Sequence, residues 1–475
     1  MNKRHIITIA GDHASGQGSL SNTLQRDLNY EIYRNGQYAR KLAKDMGMNI
    51  VEFQKYLDEH EELDRQIEKS ASEYAKSHDN LIVDAKLGWF AIPDSFKVYL
   101  RVNIDVAAKR VFMDEKRKDP YEKLDILIKD GKIIKIEKNY QGNYDKLIDA
   151  TDKIIMPGLI NAHTHLGMSI FRATNDNLTL QDWLENKIWP IENKMTDEDV
   201  YLSALISCLE MIKTGTTCAN DMYFGYKGTM KAILETKIRV VASRCLLGNM
   251  DSKSMNMIKE FKDLITTYRN YPLITFAVTP HSLYTCSKEY LKECLKLSKD
   301  YNLPIHTHFC ENKEEVNTIS NNYNTTPIKA LKGLGFLDQK LILAHATFLE
   351  KDDLKLLTNQ TSIVTNPISN LNLGCGIADL TTYIKHNINI ALGTDGQGSG
   401  NNLNLFKHMS VVGDLQKAIY EDPTVISSYE ILKMATINGA KALGLENKIG
   451  SIEENKQADL IILDLNNIEI YPYPD

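Results

Sequence analysis

An apolar run that ends in two histidines constrains this chain more than any other segment does. Residues 154–160 predict a buried strand, which His163 and His165 close. Side chains two apart on a strand point to the same face, so both imidazoles can reach one point beyond the strand's end. Barrel enzymes keep their functional groups at that end of a strand. The pair indicates the start of a metal site, with a solvated or core-satisfied pair as the alternative.

Further apolar strands alternate with helical stretches between residues 157 and 445. The predicted strands end at His165, Asp221, Arg244, His281, His308, His345, Asn366 and Asp395. Eight such strands predict a closed (β/α)8 barrel, with these polar residues on one rim.

Nitrogen and oxygen donors from this rim suit one divalent cation. His308 and Asp395 add to the first two histidines, and Gly393 allows the backbone to approach closely before Asp395. His345 is a further candidate for a catalytic or ligand-supporting group. His306 lies on the same face as His308 but one layer deeper, and we interpret it as packed or ligand-supporting.

Composition excludes several classes of function. The 475 residues are 43% hydrophobic and 25% charged, as in ordinary globular proteins, and a net charge of −6 argues against a nucleic-acid partner. No apolar stretch approaches the length of a membrane span, and no signal-peptide core is present. The seven cysteines stand singly, which indicates reduced thiols. We therefore expect a soluble cytoplasmic protein.

Residues 1–115 predict a separate parallel α/β domain. A strand over residues 5–10 leads into a glycine-rich turn and a helix, a pattern that holds phosphate on backbone N–H groups. Further helices are predicted over residues 36–46 and 50–76, and strands over 81–84 and 97–102. The candidate nucleotide-binding residues are Gly11, Gly16, Gly18 and Ser19.

Short β segments flank the predicted barrel. Residues 125–136 switch to a period of two around Asp130 and Gly131, which indicates a hairpin, and residues 458–465 form another strand. The predicted division is a domain at 1–115, flanking segments at 121–156 and 446–475, and a barrel at 157–445.

Six motifs carry a resemblance to a known family. They are PGLINAHTHLGM at 157–168, WLENKIWPIE at 183–192, PHSLYTC at 280–286, HFCE at 308–311, NPISN at 366–370 and GTDG at 393–396. On these motifs, residues from about 121 to 475 resemble the amidohydrolase superfamily, and within it the 5-methylthioadenosine/S-adenosylhomocysteine deaminases. Residues 1–115 resemble nucleoside-monophosphate kinases of the cytidylate kinase type. These resemblances imply that residues 121–156 and 446–475 form a small β-sandwich lobe. The expected fold class is then α/β: a (β/α)8 metallo-barrel with a flanking sandwich lobe, plus an N-terminal P-loop-like domain.

The resemblance implies a ligand set and a reaction. One divalent metal, zinc with iron as the alternative, is held by His163, His165, His308 and Asp395. Hydroxide generated at the metal attacks C6 of an adenine, and ammonia is released. Asp395 accepts the water's proton, His345 orients the attacking oxygen, and Glu311 donates to the ring nitrogen beside C6.

The same resemblance implies the substrate side. Glu192 accepts from ribose hydroxyls, His281 contacts a purine nitrogen, Trp183 packs on the base, and Arg244 reaches an anionic tail. A core position for Trp183 and an ion pair for Arg244 stay open as alternatives. Methylthioadenosine and S-adenosylhomocysteine are the expected substrates. A guanine or cytosine deaminase and a chlorohydrolase are alternatives within the superfamily.

Three departures from these families qualify the expectations. The stretch 249–257 offers only Lys253 as a second cation for a carboxylate tail, which favours an uncharged thioether nucleoside. The lobe lacks a first strand and closing strands, so we expect unpaired sheet edges and weak protection from hydrogen exchange. The turn reads Gly16-Gln17-Gly18-Ser19, without the lysine of a P-loop. The first domain is then a truncated kinase or nucleotide-binding module, with an active ATP-dependent kinase as the alternative. The sequence carries no signal for an oligomeric state.

Overall fold

The chain divides into two compact units, which are described separately. The computed structural model describes residues 5–11, 17–48, 53, 56, 57, 60–85, 92–100, 124–151, 153–174 and 178–465. Of these, residues 5–100 belong to the first unit and residues 124–465 to the second. The finer division into domain, lobe and barrel stays a prediction. None of the described helices is long and apolar enough to cross a membrane.

The first unit is a parallel α/β sheet, as predicted. Its strands are β1 (Ile6–Gly11), β2 (Glu31–Arg34), β3 (Leu81–Asp84) and β4 (Phe96–Leu100), and its helices are α1 (Gln17–Leu28), α2 (Asn35–Asp45) and α3 (Glu61–Ser77). The strands lie in the order β2-β3-β1-β4 and all pair in parallel. Apolar residues of β1 and β3 form a small core with α3.

The second unit carries most of the secondary structure. Its strands are β5 (Asp125–Lys129), β6 (Lys132–Glu137), β7 (Lys153–Pro157), β8 (Leu159–Thr164), β9 (Thr216–Asp221), β10 (Arg239–Ala242), β11 (Ile274–Phe276), β12 (Ile305–Phe309), β13 (Leu341–His345), β14 (Thr361–Thr365), β15 (Asn389–Leu392) and β16 (Leu460–Asp464). Its α-helices are α4 (Leu180–Trp183), α5 (Trp189–Glu192), α6 (Asp197–Lys213), α7 (Tyr226–Thr236), α8 (Ser252–Tyr268), α9 (Lys288–Tyr301), α10 (Lys313–Tyr323), α11 (Pro327–Leu334), α12 (Pro367–Asn372), α13 (Leu380–Lys385), α14 (Gln397–Gly400), α15 (Leu405–Tyr420), α16 (Ser428–Met434) and α17 (Ile437–Leu443). A π-helical turn (Leu184–Ile188) and 3-10 turns at Leu166–Phe171, Phe336–Asp338 and Lys351–Leu356 complete the set.

Strands β8 to β15 form the predicted parallel architecture. They make two four-stranded sheets in chain order, β8 to β11 and β12 to β15. A bridge between Val278 and Ile305 joins the sheets at one seam, and the N–H of Thr394 donates to the His163 carbonyl at the other. Every described position of β8, β12, β13 and β14 is buried, as expected for parallel strands covered on both faces.

These strands surround one apolar interior. Six of the eight contribute a residue to a cluster that also takes in α17 and the residues after it: Ile160, Cys218, Val241, Ile342, Val364, Ala391, Ala440, Ala442, Leu443, Leu445 and Ile449. The cluster lies at the amino-terminal side of β8, where the N–H of Ile160 donates to the Ala435 carbonyl. Helix α17 therefore covers one end of the interior, and the functional residues gather at the other.

The lobe strands appear where the sequence predicted them. β5 and β6 form an antiparallel hairpin, in which Asp130 and Gly131 both take positive φ as a tight turn requires. β16 pairs antiparallel with β7. In the described part of the chain both sheets have two strands, and the expected weak protection of this lobe stays a prediction.

Some boundaries differ from the prediction. The helix expected over residues 50–76 is described only as α3, from Glu61 to Ser77. Strands β10 and β11 end at Ala242 and Phe276, before Arg244 and His281, because the chain continues through isolated bridges instead of a regular ladder.

Candidate active site

Four side chains converge on one point at the carboxyl ends of the barrel strands. His163 lies in β8, His165 directly after it, His308 in β12, and Asp395 follows β15. One ligand atom from each lies within 4.8 Å of those of the other three. Asp395 Oδ1 is 3.0 Å from His165 Nε2 and 3.4 Å from His163 Nε2, and His308 Nε2 is 3.3 Å from His165 Nε2.

The backbone and a neighbouring histidine orient these imidazoles. The Nδ1–H of His165 donates to the Met222 carbonyl, and that of His308 donates to the His281 carbonyl at 2.9 Å. His163 Nδ1 shares a hydrogen bond of 2.9 Å with His306 Nε2. All three rings are thus held by Nδ1, which leaves Nε2 to face the common point, as metal-ligating histidines require.

The cluster fits a divalent cation. His163 is fully buried, and its Nε2 has no hydrogen-bond partner among the described residues, although a buried polar atom normally has one. Three imidazole nitrogens and one carboxylate oxygen form a donor set suited to zinc or iron. These four residues form a metal-binding site.

The surroundings of Asp395 favour its ionised form. Burial alone would raise the pKa of Asp395, but the nearby imidazoles of His163 and His165 hold that pKa well below its usual range. The hydroxyls of Ser369 and Ser399 also donate to Asp395 Oδ2, at 2.6 and 2.7 Å. Burial lowers the pKa of His163 to about 3, which keeps its ring neutral. Burial opposes charge on His165 as well, but the hydrogen bond with Asp395 raises its pKa to about 9. The centre of the cluster is therefore faced by an ionised carboxylate and by two imidazoles whose pKa values are shifted in opposite directions.

Glu311 and His345 lie beside the metal-binding residues. His345 ends β13 with φ 70°, and its Nδ1 is 2.8 Å from Asn370 Oδ1. Glu311 Oε1 is 3.8 Å from the same Nδ1. Burial raises the pKa of Glu311, which favours its protonated form. The backbone N–H of Glu311 donates to Glu315 Oε2 at 2.7 Å, so Glu315 fixes the turn that presents Glu311.

A cavity opens onto this centre. The predicted residues that line it are His165, Trp183, Glu192, His281, His308, Glu311, His345 and Asp395. Tyr223, Phe224 and Tyr284 add aromatic surface to the same wall.

The predicted substrate residues on the wall are individually anchored. The Tyr223 hydroxyl donates to Glu192 Oε1 at 2.8 Å. The indole N–H of Trp183 donates to the Thr174 hydroxyl at 3.2 Å, and His281 Nδ1 lies 3.0 Å from the Thr285 hydroxyl. Trp183 is buried and also lines the cavity, so the core position left open by the sequence is present, and its packing on a base stays a prediction.

Arg244 is placed differently from its predicted role. Its Nε–H donates to Glu260 at 2.8 Å and its Nη1–H to the Cys245 carbonyl, while the guanidinium lies near the Phe224 ring. It is not among the described residues that line the cavity. The ion pair that the sequence left open as an alternative is therefore what the structure contains.

The predicted nucleotide-binding residues are only partly described. Gly11 is the last residue of β1, and Gly18 and Ser19 lie in the first turn of α1. Gly16 lies outside the described residues. Strand β1 and helix α1 agree with the prediction, while the turn between them lies outside the described residues and stays a prediction.

Several supporting residues escaped the sequence analysis. Ser369 and Asn370 hold Asp395 and His345, and both lie in the NPISN motif, which could have indicated them. Tyr223 and Glu315 carry no comparable signal, because their partners become apparent only in three dimensions.

Comparison with known proteins gives a consistent result. Residues 154–475 match the amidohydrolase family, and residues 7–129 match an AAA domain. The chain is 42% identical to a 5-methylthioadenosine/S-adenosylhomocysteine deaminase of Thermoanaerobacter pseudethanolicus, over 69% of this chain and 77% of that protein. It is 39% identical to a 5'-deoxyadenosine deaminase of Methanocaldococcus jannaschii, over 77% of this chain and 87% of that protein.

A solved structure extends the similarity to the fold. An adenosine deaminase from Xanthomonas campestris with bound zinc superposes with a TM-score of 0.72 at 30% identity. The alignment covers 75% of this chain and 83% of that one.

Proposed function

The chain belongs to the amidohydrolase family, and we propose that it is a zinc-dependent hydrolase that deaminates adenosine thioethers. The observation that carries this is the placement of Glu311 and His345 beside the four metal-binding residues, in the lining of one cavity. The names of the relatives in two deaminase groups support the reaction and the nucleoside class.

The chain's own residues divide the proton transfers. His163, His165, His308 and Asp395 would hold a divalent metal, which would supply a water whose pKa is lowered toward about 7. Asp395, ionised in this site, accepts the proton of the attacking water. Glu311, whose pKa is raised by burial, donates to the purine nitrogen beside C6 and makes C6 electrophilic. His345, held by Asn370, orients the attacking oxygen. Asp395 passes the proton it took from water to the C6 amino group, and the C–N bond breaks to release ammonia.

The walls of the cavity support an uncharged 5' substituent. Among the described residues that line it, none is lysine or arginine. Arg244 is bound to Glu260, and releasing it would leave the carboxylate of Glu260 without this partner. We therefore propose methylthioadenosine as a better substrate than S-adenosylhomocysteine, whose amino-acid tail carries a carboxylate.

A reducing compartment suits this chain. All seven cysteines are buried and free of disulfides. Proteins with unpaired thiols are typical of the cytosol, which we propose as the location.

The test is a deamination screen with metal analysis. The purified protein is expected to contain one zinc per chain and to release ammonia from methylthioadenosine, with the absorbance change from adenine to hypoxanthine. Turnover of S-adenosylhomocysteine is expected to be at least about tenfold less efficient, the scale of one charged hydrogen bond left unmade. Release from guanine, cytosine or a chlorotriazine instead, without reaction of methylthioadenosine, would overturn the proposed function.

We also infer nucleotide binding by the first unit. The AAA-domain match and the parallel sheet, in which β1 is followed along the chain by α1, support it. A titration of the full chain with ATP, followed by calorimetry, tests this role separately from deamination.

A further inference from the structure

Glu192 lies on a short, peripheral element of the cavity wall. Helix α5 has four residues and follows the π-helical turn at Leu184–Ile188, outside the barrel strands. Such a segment fixes a side chain weakly by its own backbone. Within the described part of the chain, the Glu192 carboxylate accepts a hydrogen bond from the Tyr223 hydroxyl, at 2.8 Å to Oε1.

Tyr223, in contrast, is firmly held. It follows β9 directly after Met222, whose carbonyl accepts from the metal ligand His165. Its own carbonyl accepts from the Cys245 N–H at 3.0 Å, and its side chain is 3% exposed. Gly167 leaves room for the ring, because a Cβ there would lie 2.1 Å from Tyr223 Cε1. The tyrosine thus connects the rim of the barrel to the peripheral carboxylate.

The hydrogen bond leaves one carboxylate oxygen available. With Oε1 accepting from Tyr223, Oε2 of Glu192 remains to accept from a ligand in the cavity. Burial raises the pKa of Glu192, and the Tyr223 hydroxyl opposes that shift, so the bond favours the ionised acceptor. An ionised carboxylate in an apolar wall binds hydroxyl donors strongly.

We propose that Tyr223 is a positioning residue that holds Glu192 for the two hydroxyls of a ribose, and so makes the enzyme selective for nucleosides with an intact vicinal diol. This inference rests on the proposed function, because it assumes that the cavity takes an adenine nucleoside. The selectivity would come from the pair and not from Glu192 alone.

The experiment compares two substrates in three proteins. Tyr223→Phe removes the hydroxyl and keeps the ring that fills the space beside Gly167. Tyr201→Phe is the matched control, since it breaks a similar tyrosine–glutamate bond of 2.7 Å, with Glu235, on the exposed surface. KM and kcat are measured for methylthioadenosine and for its 2',3'-dideoxy analogue.

For Tyr223→Phe we expect a KM about tenfold higher with methylthioadenosine, the scale of one hydrogen bond to a charged group, with kcat nearly unchanged. With the dideoxy analogue, KM is expected to change less than about twofold, and Tyr201→Phe should resemble the wild type for both substrates. An equal loss for both substrates would show a merely structural role, and no loss for either would show that Glu192 needs no positioning. Both results overturn the proposal.

A binding measurement separates this inference from the proposed function. The Kd of 5'-methylthioinosine and of its dideoxy analogue can be measured by calorimetry in each zinc-loaded protein, without turnover. If the wild type releases no ammonia from any nucleoside, the proposed function fails. The ratio of the two Kd values then still decides whether Tyr223 supports diol recognition, and the absence of any binding overturns it.

Discussion

The two units of this chain differ in which groups carry the chemistry: side chains in the second unit and, by prediction, backbone N–H groups in the first. In the barrel, chemistry lies in side chains at strand ends, each recognisable by residue type and each held by a second hydrogen bond. In the first unit, the expected phosphate cradle is made of backbone N–H groups in the turn after β1, and its one diagnostic side chain, a lysine, is replaced by Gln17.

This difference decides how much function each region reveals. A side-chain site can be recognised from several independent signals, because four ligands from three separate regions of the chain must all lie close to one point. A backbone cradle depends on turn geometry, which many sequences can adopt. Experiments on single side chains should therefore have large effects in the barrel and small ones in the first unit.

The largest effect is expected from the removal of a metal ligand. His308→Ala deletes one of three imidazoles and leaves the donor set incomplete, so bound metal and turnover should fall together, turnover by more than about 10⁴-fold, the upper range for loss of a single acid–base group. Metal content by mass spectrometry and ammonia release are the measurements. His386→Ala, an exposed histidine on the second unit, is the control and should retain both. Full metal occupancy in His308→Ala would refute the ligand set.

The next largest effect is expected from a catalytic residue that does not bind the metal. Glu311→Gln keeps the shape of the side chain but removes the proton donor, so kcat should fall by about 10²–10⁴-fold while metal content stays unchanged. Glu314→Gln changes an exposed neighbour on the same turn and should behave as the wild type. A kcat for Glu311→Gln within twofold of the wild type would assign the proton transfer to another group.

A smaller effect tests the support of a ligand. His306→Phe keeps an aromatic ring beneath His163 but removes the nitrogen that bonds to its Nδ1. Loss of such a supporting partner typically weakens metal affinity by about 10–100-fold. Competition with a chelator measures this affinity without turnover. Unchanged affinity would mean that packing alone orients His163.

The contrast between the units also explains what the sequence could predict. The barrel strands were identified because each is an apolar run that ends in a polar residue, as in residues 341–345. Strand β2 was missed because Glu31 and Arg34 interrupt its apolar character. Its place in the sheet comes from parallel pairing with β3, a contact 50 residues away along the chain, from Glu31 to Leu81.

Some site residues could be predicted from local sequence signals, and others could not. The four metal ligands could be found because imidazoles and carboxylates rarely gather at the ends of buried strands unless they bind an ion or a substrate. The role of Arg244 could not be decided, because its partner Glu260 lies 16 residues away on α8 and nothing local links them. The Tyr223–Glu192 bond spans 31 residues and joins a barrel strand to a peripheral helix, which no spacing rule anticipates.

The smallest expected effect lies in the first unit, where one substitution can sharpen the comparison. Gln17 begins α1 and stands where a P-loop has its lysine, so the full chain should transfer phosphate from ATP to CMP far more slowly than the roughly 1–100 turnovers per second of kinases. Gln17→Lys places a positive charge at the expected phosphates and should tighten ATP binding several-fold. Gln25→Lys puts the same charge two turns further along α1 and should not.

If both variants tighten ATP binding equally, the gain is general charge attraction and the turn after β1 is no phosphate cradle. If the wild type transfers phosphate at a kinase-like rate, the missing lysine is not diagnostic, and backbone N–H groups with the helix N-terminus are enough to hold the nucleotide for reaction.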